Sequence, residues 1–297
     1  MTAEPTELLD GLAFPEGPRW FGDKLWFSDL RNMTVTTAGL DGSTEVVLRL
    51  EDSPSGIGFL PDATPIIVSM NDRRLLRLVG GRAELHADLR DFPGDFINDM
   101  VVDDQGNVYV GTRSSALRPG FAVPSRDDAP DAIIMVRPDG QAAVAAEHLV
   151  SPNGTAITPD GRTLIVAETY AHRVLAYDRA LDGSLSGQRV FAEVGDAYPD
   201  GLCLDSDGEV WIGSPYTATF LRVREGGEVT DRVPLPGAVA CMLGGEDRRV
   251  LFLLGVDPAA LRVPGESSGG LIRDRVGPFT DGHVWTLAVE HPGAGWP

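Results

Sequence analysis

The chain has 297 residues, enough for one large domain or two ordinary ones. Its fractions of aliphatic and charged residues are those of a globular protein. Its net charge of −19 argues against a nucleic-acid partner, because phosphate binding requires a basic surface. The sequence contains no apolar run of about 18 residues, so we expect no membrane span. The N-terminus lacks the apolar core of a secretory signal. We therefore expect a cytoplasmic protein in which Cys203 and Cys241 are small core residues rather than a disulfide scaffold.

Six segments repeat one pattern in chain order. Each begins with a residue of variable type, continues with apolar positions and reaches a turn residue seven positions later. The six first residues, called the phase-one residues below, are Glu16, Ser55, Asn98, Asn153, Asp200 and Val239. A second strand follows in every copy, as in KLWFSD (24–29) and TLIVAET (163–169), and a third is visible in most.

This repeat predicts the fold. A four-stranded antiparallel unit that recurs six times cannot close its own core, and radial repetition around an axis protects its edges. We predict an all-β protein, a six-bladed β-propeller that forms a single domain over residues 1–297. The last blade lacks a fourth strand after HVWTLAV (283–289). TELLDGLAF (6–14) is predicted to supply it and close the ring.

The phase of the repeat predicts a site in the central channel. Because the first strand of each blade lies nearest the axis, the phase-one residues should face one another at one mouth. Four of them, Glu16, Asn98, Asn153 and Asp200, carry oxygen donors. A set of oxygens without thiol or imidazole suits one hard divalent cation, Ca²⁺ first, with Mg²⁺ and Mn²⁺ as alternatives. The competing interpretation is that Asx-Gly pairs are turns, with the glycine of SPNG (151–154) permitting the bend.

Several motifs carry a family resemblance. They are FPEGP (14–18), IND (97–99), SPNG (151–154), PDGLCLDSDGEVWIG (199–213) and, near the C-terminus, VACMLGG. Together they resemble the regucalcin/gluconolactonase family, also called the senescence-marker-protein family, over nearly the whole chain and in the same order. The resemblance implies a six-bladed propeller with one catalytic divalent metal at the channel mouth. It also implies hydrolysis of a sugar lactone to an aldonic acid.

The resemblance also implies roles for individual residues. Glu16, Asn153 and Asp200 match the metal-ligand positions, and Asp200 also matches the general base. Asn98 matches a position that contacts metal, water or substrate.

The substrate side departs from the family pattern. Sugar lactonases of the family commonly carry Arg two residues before this Asn, where the chain has Phe96, and that change puts a polyhydroxylated substrate in doubt. Arg113, at the end of a second strand, is a candidate replacement. The long Pro- and Gly-rich connections 114–131 and 256–282 are predicted to lie over the metal as substrate loops.

These observations predict a metal-dependent hydrolase that opens a lactone, either a sugar lactone or a less polar cyclic ester, with water activated at the metal. One alternative is that the same metal site serves another small-molecule reaction in a biosynthetic pathway. The other is a non-catalytic Ca²⁺-binding propeller, since fold alone does not give function. In each case the expected partner is a small molecule, not a nucleic acid or a membrane. The sequence gives no prediction of the oligomeric state.

Overall fold

The structure, a computed structural model, describes residues 4–115, 124–257 and 280–295. Within these residues, 24 strands form six four-stranded antiparallel sheets, which confirms the predicted six-bladed propeller. The only helical elements in the described ranges are short 3-10 turns. No helix of the described residues is long and apolar enough to span a membrane. The turns are Arg126–Asp128, Thr169–Ala171 and Pro215–Thr217.

The first three blades follow one another along the chain. The first contains β2 (Pro15–Phe21), β3 (Lys24–Asp29), β4 (Thr34–Ala38) and β5 (Thr44–Arg49). The second contains β6 (Pro54–Phe59), β7 (Pro65–Ser69), β8 (Arg74–Val79) and β9 (Arg82–Asp88). The third contains β10 (Phe96–Val102), β11 (Val108–Arg113), β12 (Asp131–Val136) and β13 (Ala142–Leu149).

The remaining blades repeat this order, except that the sixth also takes β1 (Thr6–Leu12). The fourth blade contains β14 (Pro152–Ile157), β15 (Thr163–Glu168), β16 (Arg173–Arg179) and β17 (Leu185–Glu193). The fifth contains β18 (Leu202–Leu204), β19 (Val210–Ser214), β20 (Thr219–Val223) and β21 (Val229–Pro234). The sixth contains β22 (Ala238–Gly244), β23 (Val250–Val256) and β24 (Gly282–Ala288).

The ring closes as the sequence predicts. Strand β1 pairs antiparallel with β24, with Thr6 opposite Thr286 and Leu12 opposite Gly282, and so becomes the outer strand of the sixth blade. Leu9 is buried and joins the hydrophobic core of that blade. The closure gives the sixth blade its fourth strand and joins the two ends of the described chain in one sheet, so each blade keeps only one outer edge.

The six first strands form the inner ring, and glycine lets them approach one another. A Cβ on Gly154 would lie 2.4 Å from the Asp200 carbonyl oxygen, and one on Gly201 would lie 2.4 Å from the Ala240 Cβ. Gly154 also lies within the register shift between Pro152 and Thr155, where the inner strand bends. The left-handed residue of SPNG is Ser151, with φ 56°, and Gly154 is required by the close approach of the neighbouring blade.

A bulge recurs in the inner strands. In β6, β10, β14 and β22 the pairing register shifts across the phase-one residue, and in β2 it shifts between Glu16 and Arg19. In a regular strand, residues three apart point to opposite faces, but the extra residue of a bulge brings them to the same side. Glu16 and Arg19 therefore both face the channel. Strand β18 pairs with β19 without such a shift, and its phase-one residue Asp200 lies two residues before the strand.

Two further predictions concern the core and the loops. Cys203 and Cys241 are buried core residues, as expected, with their Sγ atoms 3.8 Å apart. Most of the two predicted substrate loops, residues 116–123 and 258–279, lies outside the described residues.

Candidate metal and substrate site

Two acidic phase-one residues meet at one end of the channel, called the proximal mouth below. Glu16 begins the inner strand of the first blade, and Asp200 precedes that of the fifth. Burial raises the pKa of Glu16 well above its usual range, and the charges of Asp200 and Asp99 raise it further. Burial likewise raises the pKa of Asp200 to about 7, although Arg113 acts in the opposite direction. Each carboxylate is therefore costly to ionise unless a cation is near.

Asn153 directs an amide oxygen toward the same mouth. The Thr169 hydroxyl donates to the Pro199 carbonyl at 2.9 Å, so its oxygen is left to accept a bond from the Asn153 Nδ2 at 3.1 Å. That acceptance fixes which side of the amide is nitrogen, because a hydroxyl has a single proton to donate. Asn153 also hydrogen-bonds Asp200, which lowers the pKa of that carboxyl. Neither of these two bonds, to Thr169 and Asp200, uses the Asn153 Oδ1, which can therefore serve as a ligand.

Asn98 is held in a different way. Its Oδ1 accepts a 3.0 Å bond from the hydroxyl of Ser55, the phase-one residue of the preceding blade. Its amide nitrogen is thereby left to face away from Ser55, as a donor for water or substrate. The last phase-one residue, Val239, is fully buried and apolar. The ring therefore combines two carboxylates, two amides, one hydroxyl and one apolar side chain.

The sequence analysis missed a buried ion pair below this ring. Arg19, on β2, lies 3.4 Å from Asp99 on β10 and also donates to the Met100 carbonyl, two blades away across the channel. Burial raises the pKa of Asp99, while the guanidinium counteracts the shift. A signal was present, because Arg19 is the single charged residue three positions after a phase-one residue. The other copies have Gly58, Val101, Ala156, Cys203 and Met242 there.

Phe96 and Arg113 are cross-strand partners in β10 and β11. The Arg113 guanidinium carbon lies 5.6 Å from the Phe96 ring centroid and 5.3 Å from that of Tyr170. Its Nη2 donates to the Tyr170 hydroxyl at 2.6 Å. The same guanidinium lowers the pKa of Glu16 and Asp200, so its charge acts at the proximal mouth. The predicted replacement arginine thus lies directly opposite Phe96.

An aromatic wall continues from Arg113, and the sequence analysis did not identify it. Tyr170 contacts Tyr198 edge to face at 6.3 Å between centroids, and Tyr198 contacts Tyr216 at 5.0 Å. These residues belong to the short turns after β15 and β19 and to the connection before β18. Burial raises the pKa of the Tyr216 hydroxyl, although its side chain is 43% exposed. The repeat gives little warning of this wall, because its residues lie in connections rather than in the inner strands.

A second acidic group lies beside Arg113. Burial raises the pKa of Asp131 to about 7, and its Oδ2 accepts a 2.9 Å bond from the Ser151 amide. Arg113 lowers that pKa through its charge, but the two side chains form no ion pair. Asp131 is therefore an electrostatic neighbour of the site that does not bind the guanidinium directly.

The donor set suits a hard divalent cation. Glu16 and Asp200 supply two carboxylates and Asn153 a free amide oxygen, the ligand types preferred by Ca²⁺ and Mg²⁺. Within the described ranges, no three His, Cys, Asp or Glu side chains are grouped to hold a metal ion. The site therefore depends on amide oxygens as well as on two carboxylates whose raised pKa values a cation would lower.

The fold and this mouth define a propeller with a site of oxygen ligands at one end of its channel. The chain belongs to the family described as the SMP-30/Gluconolactonase/LRE-like region, which matches residues 14–256. The resemblance seen in the sequence motifs is thereby confirmed.

Several curated proteins are similar to the chain. Pentonolactonase XacC from Haloferax volcanii is 27% identical over 251 residues, which cover 80% of each chain. The 6-deoxy-6-sulfogluconolactonase of Pseudomonas putida is 30% identical over 161 residues, 52% of each. Regucalcin from Danio rerio is 27% identical over 185 residues, and the match spans 60% of that protein's length.

Solved structures share the architecture. A gluconolactonase from Xanthomonas campestris superposes with a TM-score of 0.76 at 25% identity, covering 97% of this chain and 90% of that one. A regucalcin from Agrobacterium tumefaciens, described as a calcium-binding protein, gives a TM-score of 0.78 at 20% identity. It covers 100% of this chain and 97% of its own. At that identity the second likeness bears on the fold alone.

Proposed function

We propose that the protein hydrolyses a lactone at the proximal mouth, with one divalent cation, Ca²⁺ in the first instance, held by Glu16, Asn153 and Asp200. The observation that carries the proposal is the convergence of two carboxylates, Glu16 buried and Asp200 half-buried, whose pKa values are raised by desolvation and by neighbouring acids. A binding platform has no need to keep such groups together. The family match, and relatives named as lactonases, support a cyclic ester as the substrate.

The residues of the chain divide the work. Asp200 is the general base, the role that the family resemblance implies for it, and the acidified water compensates for the lower basicity of a cation-bound carboxylate. Asn98, which turns its amide nitrogen away from Ser55, donates to the substrate or to the attacking water. Phe96 and Arg113 form the side of the pocket that contacts the substrate. When bound, the cation polarises the ester carbonyl, acidifies nearby water and lowers the pKa of both carboxylates.

The bonds exchanged are those of ester hydrolysis. Asp200 takes a proton from water as the water oxygen bonds to the carbonyl carbon. The bond between that carbon and the ring oxygen then breaks, and the ring oxygen receives a proton, returned by Asp200. The product is a hydroxy acid, which loses its carboxyl proton to solvent at neutral pH. No covalent enzyme intermediate is required.

The test is a panel of sugar lactones and of neutral γ- and δ-lactones, followed through proton release. Protein is assayed as purified, after chelation, and after reloading with Ca²⁺, Mg²⁺ or Mn²⁺. We expect chelation to abolish hydrolysis and one of these ions to restore it. Glu16→Gln should prevent restoration. Asp104→Asn, which removes an equal charge from an exposed side chain on the opposite face, should behave as wild type.

Each other outcome has a defined meaning. Hydrolysis that survives complete chelation would contradict the metal-dependent mechanism. Stoichiometric metal binding without turnover of any lactone would assign the site to another small-molecule reaction or to calcium binding without catalysis. Protein that neither binds metal nor hydrolyses lactones would overturn the proposal.

A further inference from the structure

Arg113 differs from the other inward-facing arginines of the propeller. The buried guanidinium groups of Arg19, Arg179 and Arg222 each contact a carboxylate. Arg113 forms no ion pair with any carboxylate of the described residues, although it lies within electrostatic range of Asp200. Its Nη2 donates to a neutral phenol, and its Nε is buried with no hydrogen-bond partner. An unpaired buried donor is costly, so such a group calls for a ligand.

The surroundings of Arg113 hold the guanidinium in place. Its cross-strand partner Phe96 and the turn residue Tyr170 both place their rings within 6 Å of the guanidinium carbon, at 5.6 and 5.3 Å. The Tyr170 hydroxyl accepts one of its Nη2 protons. The remaining N–H donors form a planar fork, which matches the two oxygens of a carboxylate better than a single hydroxyl.

We propose that Arg113 binds a carboxylate carried by the substrate, so that the preferred substrates are lactones with an acidic substituent close to the ring. This inference rests on the proposed lactone hydrolysis for the nature of the ring and on Arg113 for the substituent. Because Arg113 acts on both Glu16 and Asp200, an anion bonded to it lies beside the reacting ester. Tyr216 lies within electrostatic range of both Arg113 and Asp200, and its ring contacts that of Tyr198, so aromatic surface borders the same mouth.

The test measures binding rather than turnover, with three cyclic ethers that cannot be hydrolysed. They are tetrahydrofuran-2-carboxylate, its carboxamide and the corresponding hydroxymethyl compound. Calorimetry is performed in calcium-containing buffer at pH 7.5. We expect the carboxylate to bind about 10- to 100-fold more tightly than the other two, as a charge-assisted fork predicts. Arg113→Gln should abolish this preference, and Arg113→Lys should keep only part of it.

Two further variants guard against a folding artefact. Tyr170→Phe removes the phenol that holds the Arg113 Nη2 and should reduce the preference without removing the charge. Arg90→Gln, an equal charge change at an exposed side chain paired with Asp88, should leave it unchanged. Thermal unfolding of each variant shows whether the fold is intact.

The inference and the proposed function fail separately. Equal affinities for the three ligands in the wild type would overturn the inference even if neutral lactones are hydrolysed. A preference that persists in Arg113→Gln would place the carboxylate on another group, such as the cation, and would also overturn it. A preference that requires Arg113, in a protein that hydrolyses no lactone, would uphold the subsite and reject the proposed reaction.

Discussion

Acidic side chains at the two ends of the inner strands have different charged neighbours. At the distal end, five residues after the phase-one Asn98 and Asp200, the buried carboxylates of Asp103 and Asp205 each contact an arginine. At the proximal mouth, Glu16 and Asp200 have each other and Asp99 as their charged neighbours, with Arg113 as a partial counterweight.

The distal acids are fully engaged. Arg179 donates to Asp103 and, at 3.1 Å, to the hydroxyl of Tyr109. Arg222 contacts Asp205 at 2.7 Å and Glu209 at 3.0 Å. Hydrogen bonds to arginine and threonine hold the pKa of Glu209 below its usual value despite burial. Such acids stabilise the fold in the ionised form and have no capacity for another cation.

This difference distinguishes structural acids from those that we propose to be functional. The same strands carry acids at both ends, so position in the repeat does not decide their role. What decides it is whether the fold supplies a cation. Where arginine is provided, the acid is structural. Where no arginine forms an ion pair with the acid, as at Glu16 and Asp200, we propose that the acid binds a cation from solution together with Asn153.

The largest effect is expected from Asp200→Asn. Loss of the general base should lower kcat for lactone hydrolysis by about 10²- to 10⁴-fold with the fold retained. The distal counterpart Asp205→Asn should leave kcat per folded molecule within a few-fold and lower the thermal unfolding temperature instead. Steady-state kinetics and thermal melts of both variants measure the contrast. A comparable loss of kcat in Asp205→Asn would erase the distinction between the two ends.

The second prediction concerns stability alone. Asp103→Ala leaves Arg179 buried without its main partner and should lower the free energy of unfolding by about 3–5 kcal/mol in denaturant titrations. Glu16→Gln, in protein freed of metal, should leave that free energy unchanged or raise it, because it replaces a carboxyl whose ionisation is opposed by burial and by the charges of Asp200 and Asp99. Asp104→Ala, at a side chain that is 75% exposed, is the control and should change it little. A destabilising Glu16→Gln would show that its ionised form is already compensated.

The third prediction follows calcium. At about 100 times its dissociation constant, a ligand of the folded state adds about 2.7 kcal/mol to the free energy of unfolding. We expect this increment in the wild type and a much smaller one in Asn153→Leu. Asn107→Leu makes the same substitution at a distal amide that donates to Asp103, so it should lower the baseline and keep the increment. If calcium raises the free energy of unfolding equally in wild type and Asn153→Leu, Asn153 is not a calcium ligand and its role is structural.

The sequence predicted the fold well because the fold is periodic. Six copies in one phase identified the inner strands, and a missing last strand identified TELLDGLAF as the closure. The same phase brought Glu16 and Asp200 together, since repetition converts a position along the chain into a position around an axis. What the sequence did not predict at Gly154 is the close approach of the neighbouring blade, which leaves no room for a side chain there.

The rest of the site does not follow the repeat. Tyr170 and Tyr216 occupy the same position in two equivalent turns, but Tyr198, which contacts both, lies in the connection before β18, where the repeat has no counterpart. The Arg19–Asp99 pair spans two blades and is visible in the sequence only as charges at positions where other copies have glycine or apolar residues. The role of Arg113 could be guessed from its strand end, but its pairing with Phe96 required the register of β10 and β11.

The smallest effect we expect is a pH dependence confined to the proximal mouth. In metal-free protein the pKa of Asp200 is raised to about 7, so its proton is bound more tightly in the folded state than in the unfolded chain. The stability it contributes is fully present below about pH 4 and is lost as the pH rises toward 7. The free energy of unfolding of wild type relative to Asp200→Asn should therefore fall across that interval, as measured by denaturant titration.

Two comparisons show whether this slope belongs to the mouth. Saturating calcium should remove it, because a bound cation favours the ionised carboxylate. Asp88→Asn tests the opposite sign. The Arg90 side chain lowers the pKa of Asp88 to about 2, so the contribution of Asp88 is present above its ordinary pKa and is lost as the pH falls. If the difference between wild type and Asp200→Asn does not vary with pH, Asp200 already has a compensating partner, and the contrast between the two ends disappears.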